Sequence, residues 1–197
     1  MSKLLPHRFG AVALALCLVA ALPLGATTLQ QMNLDQLVDN AGNVADVTIV
    51  NMTTGTVSVG GTTLPTVTVQ AKVNEPFKGD FTEVKGDLVL EITMVGTVKD
   101  TGIQVGDQRS FSALPQLPQL VVGGQYILMT TPPSAIGLST TVGLGQGAFR
   151  VYEESKVEMV VNEFNNSGLF NGMGIQSNGG AITREELVAA IQAAVAN

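Results

Sequence analysis

Between residues 66 and 73 apolar and polar side chains alternate without a break. Val67, Val69, Ala71 and Val73 stand against Thr66, Thr68, Gln70 and Lys72. Successive side chains on a strand change faces, so this stretch predicts a strand with one buried and one wet face. Pro65 lacks a donor and marks an edge or a bulge beside it. Upstream, Val47, Ile49, Val57 and Val59 share parity, interrupted by the polar residues 51–55. Gly60-Gly61 between two β-branched runs predicts a tight hairpin turn. Downstream, residues 75–80 read as a turn, and 88–95 as a strand with Leu88, Leu90, Ile92 and Met94 inward. Residues 106–111 allow a short strand, and the prolines at 115 and 118 predict an extended crossing loop over 114–120. Residues 126–129 are apolar on both faces, which predicts a central strand ended by Pro132-Pro133.

The glycine-loaded stretch 141–152 breaks the alternation. Its apolar residues are even-numbered at first (Val142, Leu144) and then odd-numbered (Phe149, Val151). One straight strand cannot aim both sets at one core, so an extra residue must be absorbed between them. Glycine tolerates positive φ at least cost, and a bulge or sharp bend is therefore expected at Gly145, Gln146 and Gly147. Leu144 and Phe149 are expected to face the core, with Gln146 outside. Residues 157–161 would form the hairpin partner.

The pattern switches to helical spacing twice. Leu34, Leu37, Val38 and Ala41 form one stripe; Asn33 and Gln36 supply a capping box, and Gly42 suits a left-handed exit. Near the other end Leu187, Val188, Ile191 and Val195 form a second stripe, opened by Thr183 and Glu186, with Ile182 placed to staple against Leu187. Four Asn and five Gly within 165–180 predict a flexible linker, because such a composition buries little surface to offset its ordering entropy. The expected fold is mainly β: a small closed or partly open antiparallel β-barrel, OB-like, with a short N-terminal helix and a C-terminal helix. Its expected segments are a signal peptide over 1–26, the barrel over 27–163, the linker over 164–181 and the helix over 182–197.

Charge and composition narrow the address and the chemistry. Lys3 and Arg8 precede an apolar run over 9–24, and small residues at 25 and 26 suit cleavage between Ala26 and Thr27. The run is shorter than the roughly 20 residues of a membrane span, and no stable membrane insertion is expected after cleavage. Cys17 follows the bulky Leu16, which argues against lipid attachment. Eight basic against sixteen acidic residues then leave a net charge of −8 on the 171 residues from Thr27 onward. An anionic exported chain without a basic cluster is a poor partner for nucleic acid. The expected location is periplasmic or extracellular.

The same 171 residues contain no His, Cys or Trp. Ser-His-Asp and Cys-His catalysis, His- or Cys-based zinc sites and the usual haem ligands therefore have no residues to work with. No serine has Lys three positions on. Gly143-Leu-Gly-Gln-Gly-Ala148 matches a dinucleotide fingerprint by letters, but a strand pattern follows it where that fingerprint needs a helix. Glu153, Glu154, Glu158 and Glu163 are the carboxylates of an alternative, a carboxylate-only hydrolase acting near 153–163. Oxygens over 162–171 could face calcium, but they bring one carboxylate, Glu163. No cofactor and no metal are expected.

Several phrases together resemble a family of exported bacterial domains with a small OB-like or netrin-like barrel. They are Leu34-x-x-Leu37-Val38, then Thr66-Val-Thr-Val69 leading to Phe77-Lys-Gly79, Gly124-Gln-Tyr-Ile-Leu128, and Val142-Gly-Leu-Gly-Gln-Gly147 with Phe149-Arg-Val151. The resemblance spans about 34–152. Netrin-like metalloprotease inhibitors begin with a metal-chelating cysteine, which the chain from Thr27 lacks. The resemblance thus implies a fold and an address and transfers no catalytic residue. The expected function is a non-catalytic exported domain that binds a protein or a cell-surface component, or has a structural role.

Overall fold

The computed structural model describes residues 30–100, 109–112, 118–176 and 179–196. Ten strands and two helices account for most of them: α1 (Leu34–Asn40), β1 (Asn43–Val59), β2 (Thr62–Lys78), β3 (Thr82–Val84), β4 (Asp87–Val95), β5 (Thr97–Asp100), β6 (Arg109–Ser112), β7 (Gln125–Thr130), β8 (Ala148–Glu154), β9 (Val157–Asn162), β10 (Ile182–Thr183) and α2 (Arg184–Val195). Eight strands form one antiparallel sheet in the order β10-β9-β8-β7-β1-β2-β4-β3, and β5 pairs with β6 alone. The chain is mainly β, and its sheet is a partly open one.

Two cores lie on opposite faces of this sheet. Ala45, Val47 and Ile49 of β1, Val67, Val69 and Ala71 of β2, Leu90, Ile92 and Met94 of β4, and Tyr126 and Leu128 of β7 form the first. Val44, Ile127, Met129, Phe149 and Val160 form the second, covered by Leu34, Leu37 and Val38 of α1 and Leu187 and Ile191 of α2. Strand β7 feeds both cores through alternate residues, as its continuous apolar run predicts. Both capping boxes form: Asn33 with Gln36 and Thr183 with Glu186. The exit of α1 differs from expectation. Ala41 there is extended, and Gly42 serves close packing instead, since a Cβ on it would meet Pro132 at 3.0 Å.

Strands β1 and β2 are each 17 residues long, joined by Gly60 and Gly61, both at positive φ. This is the backbone of a two-residue hairpin turn. Strand β2 runs on through the expected turn at 75–80 as far as Lys78. Three register shifts interrupt the β1–β2 ladder, skipping Phe77, Asn74 and Val50. The shift at Val50 reverses the parity, so Met52 rather than Asn51 joins the inner core, and Val57 and Val59 leave the face of Val47 and Ile49. Such bulges place one residue near the right-handed helical region, which any residue can adopt, so no glycine marks them.

Residues 164–170 pack against the sheet, which corrects the expected linker there, while residues 171–176 are mostly exposed. Leu169 and Phe170 are buried in the second core, and Leu34 N–H donates to the Leu169 carbonyl at 2.7 Å. Asn166 is buried; its Nδ2 donates to the carbonyls of Val160 and Gly180, and its Oδ1 accepts from Asn162 N–H. Side-chain amides supply here the bonds that a ladder would otherwise supply. Helix α2 therefore shares the core of the sheet, and the division into barrel, linker and separate helix gives way to one packed unit. Residues 177 and 178 lie outside the described residues.

Candidate functional site

The glycine stretch forms a turn rather than a bulged strand. Residues Leu144–Gly147 make a 3₁₀ helix, and the positive φ angles fall at Gly143 (60°) and Leu144 (59°). Gly145, Gln146 and Gly147 are not among the residues at positive φ. Gly147 is needed for a different reason: a Cβ there would lie 2.7 Å from the Val142 carbonyl and 3.0 Å from that of Met129. Phe149 is fully buried, whereas Leu144 is only half-buried. Gln146 points inward, contrary to expectation. It is 4 % exposed; its Oε1 accepts from Met32 N–H at 2.8 Å and its Nε2 donates to the Gln30 carbonyl at 2.9 Å. Its own carbonyl accepts from Asn162 Nδ2. The residue is an internal tie that fixes the chain ahead of α1.

A second polar assembly lies where β1, β2, β7 and α2 meet. Asp46 is fully buried on β1, between Ala45 and Val47. It accepts from Arg184 Nε at 2.7 Å, from Asn74 Nδ2 at 2.9 Å and from Gln125 Nε2 at 3.0 and 3.1 Å. Arg184 also reaches Glu75 at 2.8 Å. Desolvation works against the Arg184 charge, but the two carboxylates outweigh it, and the net shift of its pKa is upward. Arg184 follows the edge strand β10 yet touches β1 and β2 in the middle of the sheet order. The sheet therefore curls, and this guanidinium bridges its open side. Every polar contact in this cluster holds the scaffold together.

The carboxylates of the alternative hydrolase are spread along the β8–β9 hairpin. Glu153 and Glu158 stand opposite one another and are exposed, with Glu154 beside them at the turn. Glu163 follows the other end of β9, five residues from Glu158, or about 17 Å along an extended strand. Glycosidic hydrolysis uses carboxylates roughly 5–9.5 Å apart across a cleft. The cavity in this region, about 320 Å³, is lined by Glu163 but by none of the other three. Its other polar groups are Gln119, Tyr126, Arg150 and Asn162. Tyr126 donates to the Gln119 carbonyl and accepts from Val121 N–H, both at 3.1 Å, and burial raises its pKa. Arg150 lies over the Tyr152 ring at 5.4 Å. This cavity can hold a polar ligand through one cation, one carboxylate and amides. The oxygens considered for calcium are used otherwise, because Asn162 Oδ1 accepts from Phe164 and Asn166 N–H groups. Among the described residues no three His, Cys, Asp or Glu gather in a metal-binding group, and no helix is long and apolar enough to cross a membrane. Ala26 and Thr27 lie outside the described residues.

The most accessible unpaired polar groups among the described residues are backbone. Ile49 turns its N–H and carbonyl away from β2, to Gly124 and Gly123. Past the bulge at Val50 the alternation resumes one residue later, so Met52, Thr54, Thr56 and Ser58 face outward. Pro65 confirms the phase: it stands opposite Thr56, and its carbonyl accepts from Gly96 on the far side of β2. Asn51 Oδ1 takes the Met52 N–H at 2.9 Å. The N–H groups of Thr54, Thr56 and Ser58 and the matching carbonyls have no partner among the described residues. Residues 53–56 and 58–63 are exposed, so the hairpin projects as an arm. No charged residue occurs from Val47 to Ala71, 25 residues that include this whole edge. That run is the signal in the sequence which could have located the arm. Comparison with protein-family models, with curated proteins and with solved structures finds no match.

Proposed function

We propose that the chain is a non-catalytic exported domain, periplasmic or extracellular, that binds a protein or cell-surface component or holds a structural place beside one. The observation that carries this reading is the open edge at Thr54, Thr56 and Ser58. Proteins commonly blunt such edges with lysine, proline or a covering loop, because an open ladder accepts another strand. Residues 53–59 contain no lysine or proline, and no described segment covers them. An edge of this kind recognises extended backbone by adding a strand to its sheet, with flanking side chains tuning the choice.

Two measurements test the reading. Cell fractionation with N-terminal sequencing is expected to find the protein outside the cytoplasm, beginning at Thr27; intact Met1 in the cytoplasmic fraction would sink the exported assignment. Binding to envelope preparations from source cells is expected to be saturable and to be lost in Thr56→Pro. That variant removes one outward N–H and leaves the β1–β2 bonds in place, since Thr56 faces away from β2. Equal retention of both proteins would contradict recognition through the edge.

A further inference from the structure

The geometry points to a second copy of this chain as the occupant of the open edge, paired antiparallel about a two-fold axis through Thr56. This deepens the reading of the arm as a binding element and rests on it. Outward-facing residues alternate, so a two-fold at Thr56 sets Thr56 opposite Thr56, and Thr54 of each copy opposite Ser58 of the other. In an antiparallel ladder each such pair exchanges two N–H···O bonds, and all three free N–H groups of each copy are then used. The one outward amide just before this stretch, Met52, is already taken by Asn51, which limits the ladder to these three pairs.

The side chains suit the same register. On one face Thr56 meets Thr56 and Thr54 meets Ser58; on the other Val57 of each copy lies over Gly55 of its partner, where no Cβ competes for the space. Thr–Thr and Thr–Ser neighbours across strands are favourable pairs. Charge selects against other self-contacts. A chain with more acidic than basic residues repels its copies over most of its surface, but the arm from Val47 to Ala71 carries no charge and can approach itself without opposing carboxylates. The resulting contact is isologous, so it closes at a dimer and uses the arm edge of both copies. Three residue pairs bury little surface, and the dimer forms only at high local concentration.

The test uses purified protein with no host material, which separates it from the envelope-binding experiment. Sedimentation over a concentration series is expected to show a reversible monomer–dimer equilibrium. Thr56→Lys sets two lysines face to face and is expected to weaken it roughly fivefold or more, as like charges directly opposite destabilise a strand pair. Thr56→Glu alone is expected to do the same. An equimolar mixture of the two variants restores the dimer, because Lys then faces Glu. With Cys17→Ser in the background, Thr56→Cys is expected to form an intermolecular disulfide. Directly bonded antiparallel residues have Cα atoms about 5.5 Å apart, within disulfide reach. Circular dichroism melts establish that each variant is folded. A protein that stays monomeric throughout, a dimer indifferent to Thr56→Lys, or a mixture that fails to recover would each overturn the inference. Loss of self-association together with retained, edge-dependent envelope binding would leave the broader functional reading standing.

Discussion

The two halves of the β1–β2 hairpin share one ladder and live in different surroundings. At the base, Val44 and Ala45 of β1 face separate cores, and Asp46 beside them is fully buried among three side-chain partners. At the tip, residues 58–63 are exposed, and Val57 and its cross-strand partner Leu64 are only half-buried. Backbone pairing runs through both, with bulges only between Val44 and Asn51. The difference comes from what is packed on the strands: β7, both helices and the asparagine-rich segment at the base, and among the described residues nothing comparable at the tip. A ladder alone is marginal in water, and burial of its side chains supplies most of its stability. The arm is thus a low-stability extension held by a rigid base, which is the arrangement expected of a recognition element.

Substitutions sharpen that contrast. The largest effect is expected for Phe149→Ala, which empties a fully buried site and should cost about 3–5 kcal/mol by chemical denaturation. Thr54→Ala in the arm should stay within about 0.5 kcal/mol. Comparable losses from the two would break the division into base and arm. Asp46→Ala comes next, at about 2–4 kcal/mol. It strands Arg184 and two amide donors, although the partial exposure of Arg184 and its second carboxylate, Glu75, soften the loss. Gln146→Ala should cost about 1–3 kcal/mol, because it leaves the Met32 N–H and the Gln30 carbonyl unpaired. A neutral result there would return Gln146 to the surface position that its sequence context suggests.

The smallest effect concerns α2. The Glu186 pKa is lowered, first by the Thr183 backbone N–H and then by the Thr183 hydroxyl. Its contribution is therefore complete above the unfolded carboxylate value and is lost as pH falls through the lower folded value. The Tm difference between wild type and Glu186→Ala should shrink on moving from neutral to strongly acidic solution. A constant difference would show that the carboxylate charge plays no part in the cap.

Local patterns made much of the fold legible. Alternation placed β2 and β4, the two-sided apolar run placed β7 at the centre, and the capping residues placed both helices. Contacts distant in sequence stayed hidden. Arg184 and Asp46 are 138 residues apart, and nothing near either names the other. Asp46 itself left a trace, as a lone carboxylate between Ala45 and Val47 in an apolar strand. The linker expectation failed because composition counts Asn and Gly as solvent-seeking, whereas Asn162 and Asn166 satisfy each other and neighbouring backbone inside the protein. At the glycine stretch the change of parity was real. The chain turns at 144–147, with glycine needed at Gly143 for its φ and at Gly147 for close approach rather than for a strand bulge.

Residue-resolved amide hydrogen exchange tests the central claim most directly. In dilute, monomeric protein the amides of Thr54, Thr56 and Ser58 should exchange at nearly the rate of an open peptide, while those of Val47, Ile127 and Phe149 exchange only with global unfolding. Protection at the three threonine and serine amides equal to that at the base would contradict the account, because it would mean that the edge is already covered within a single chain.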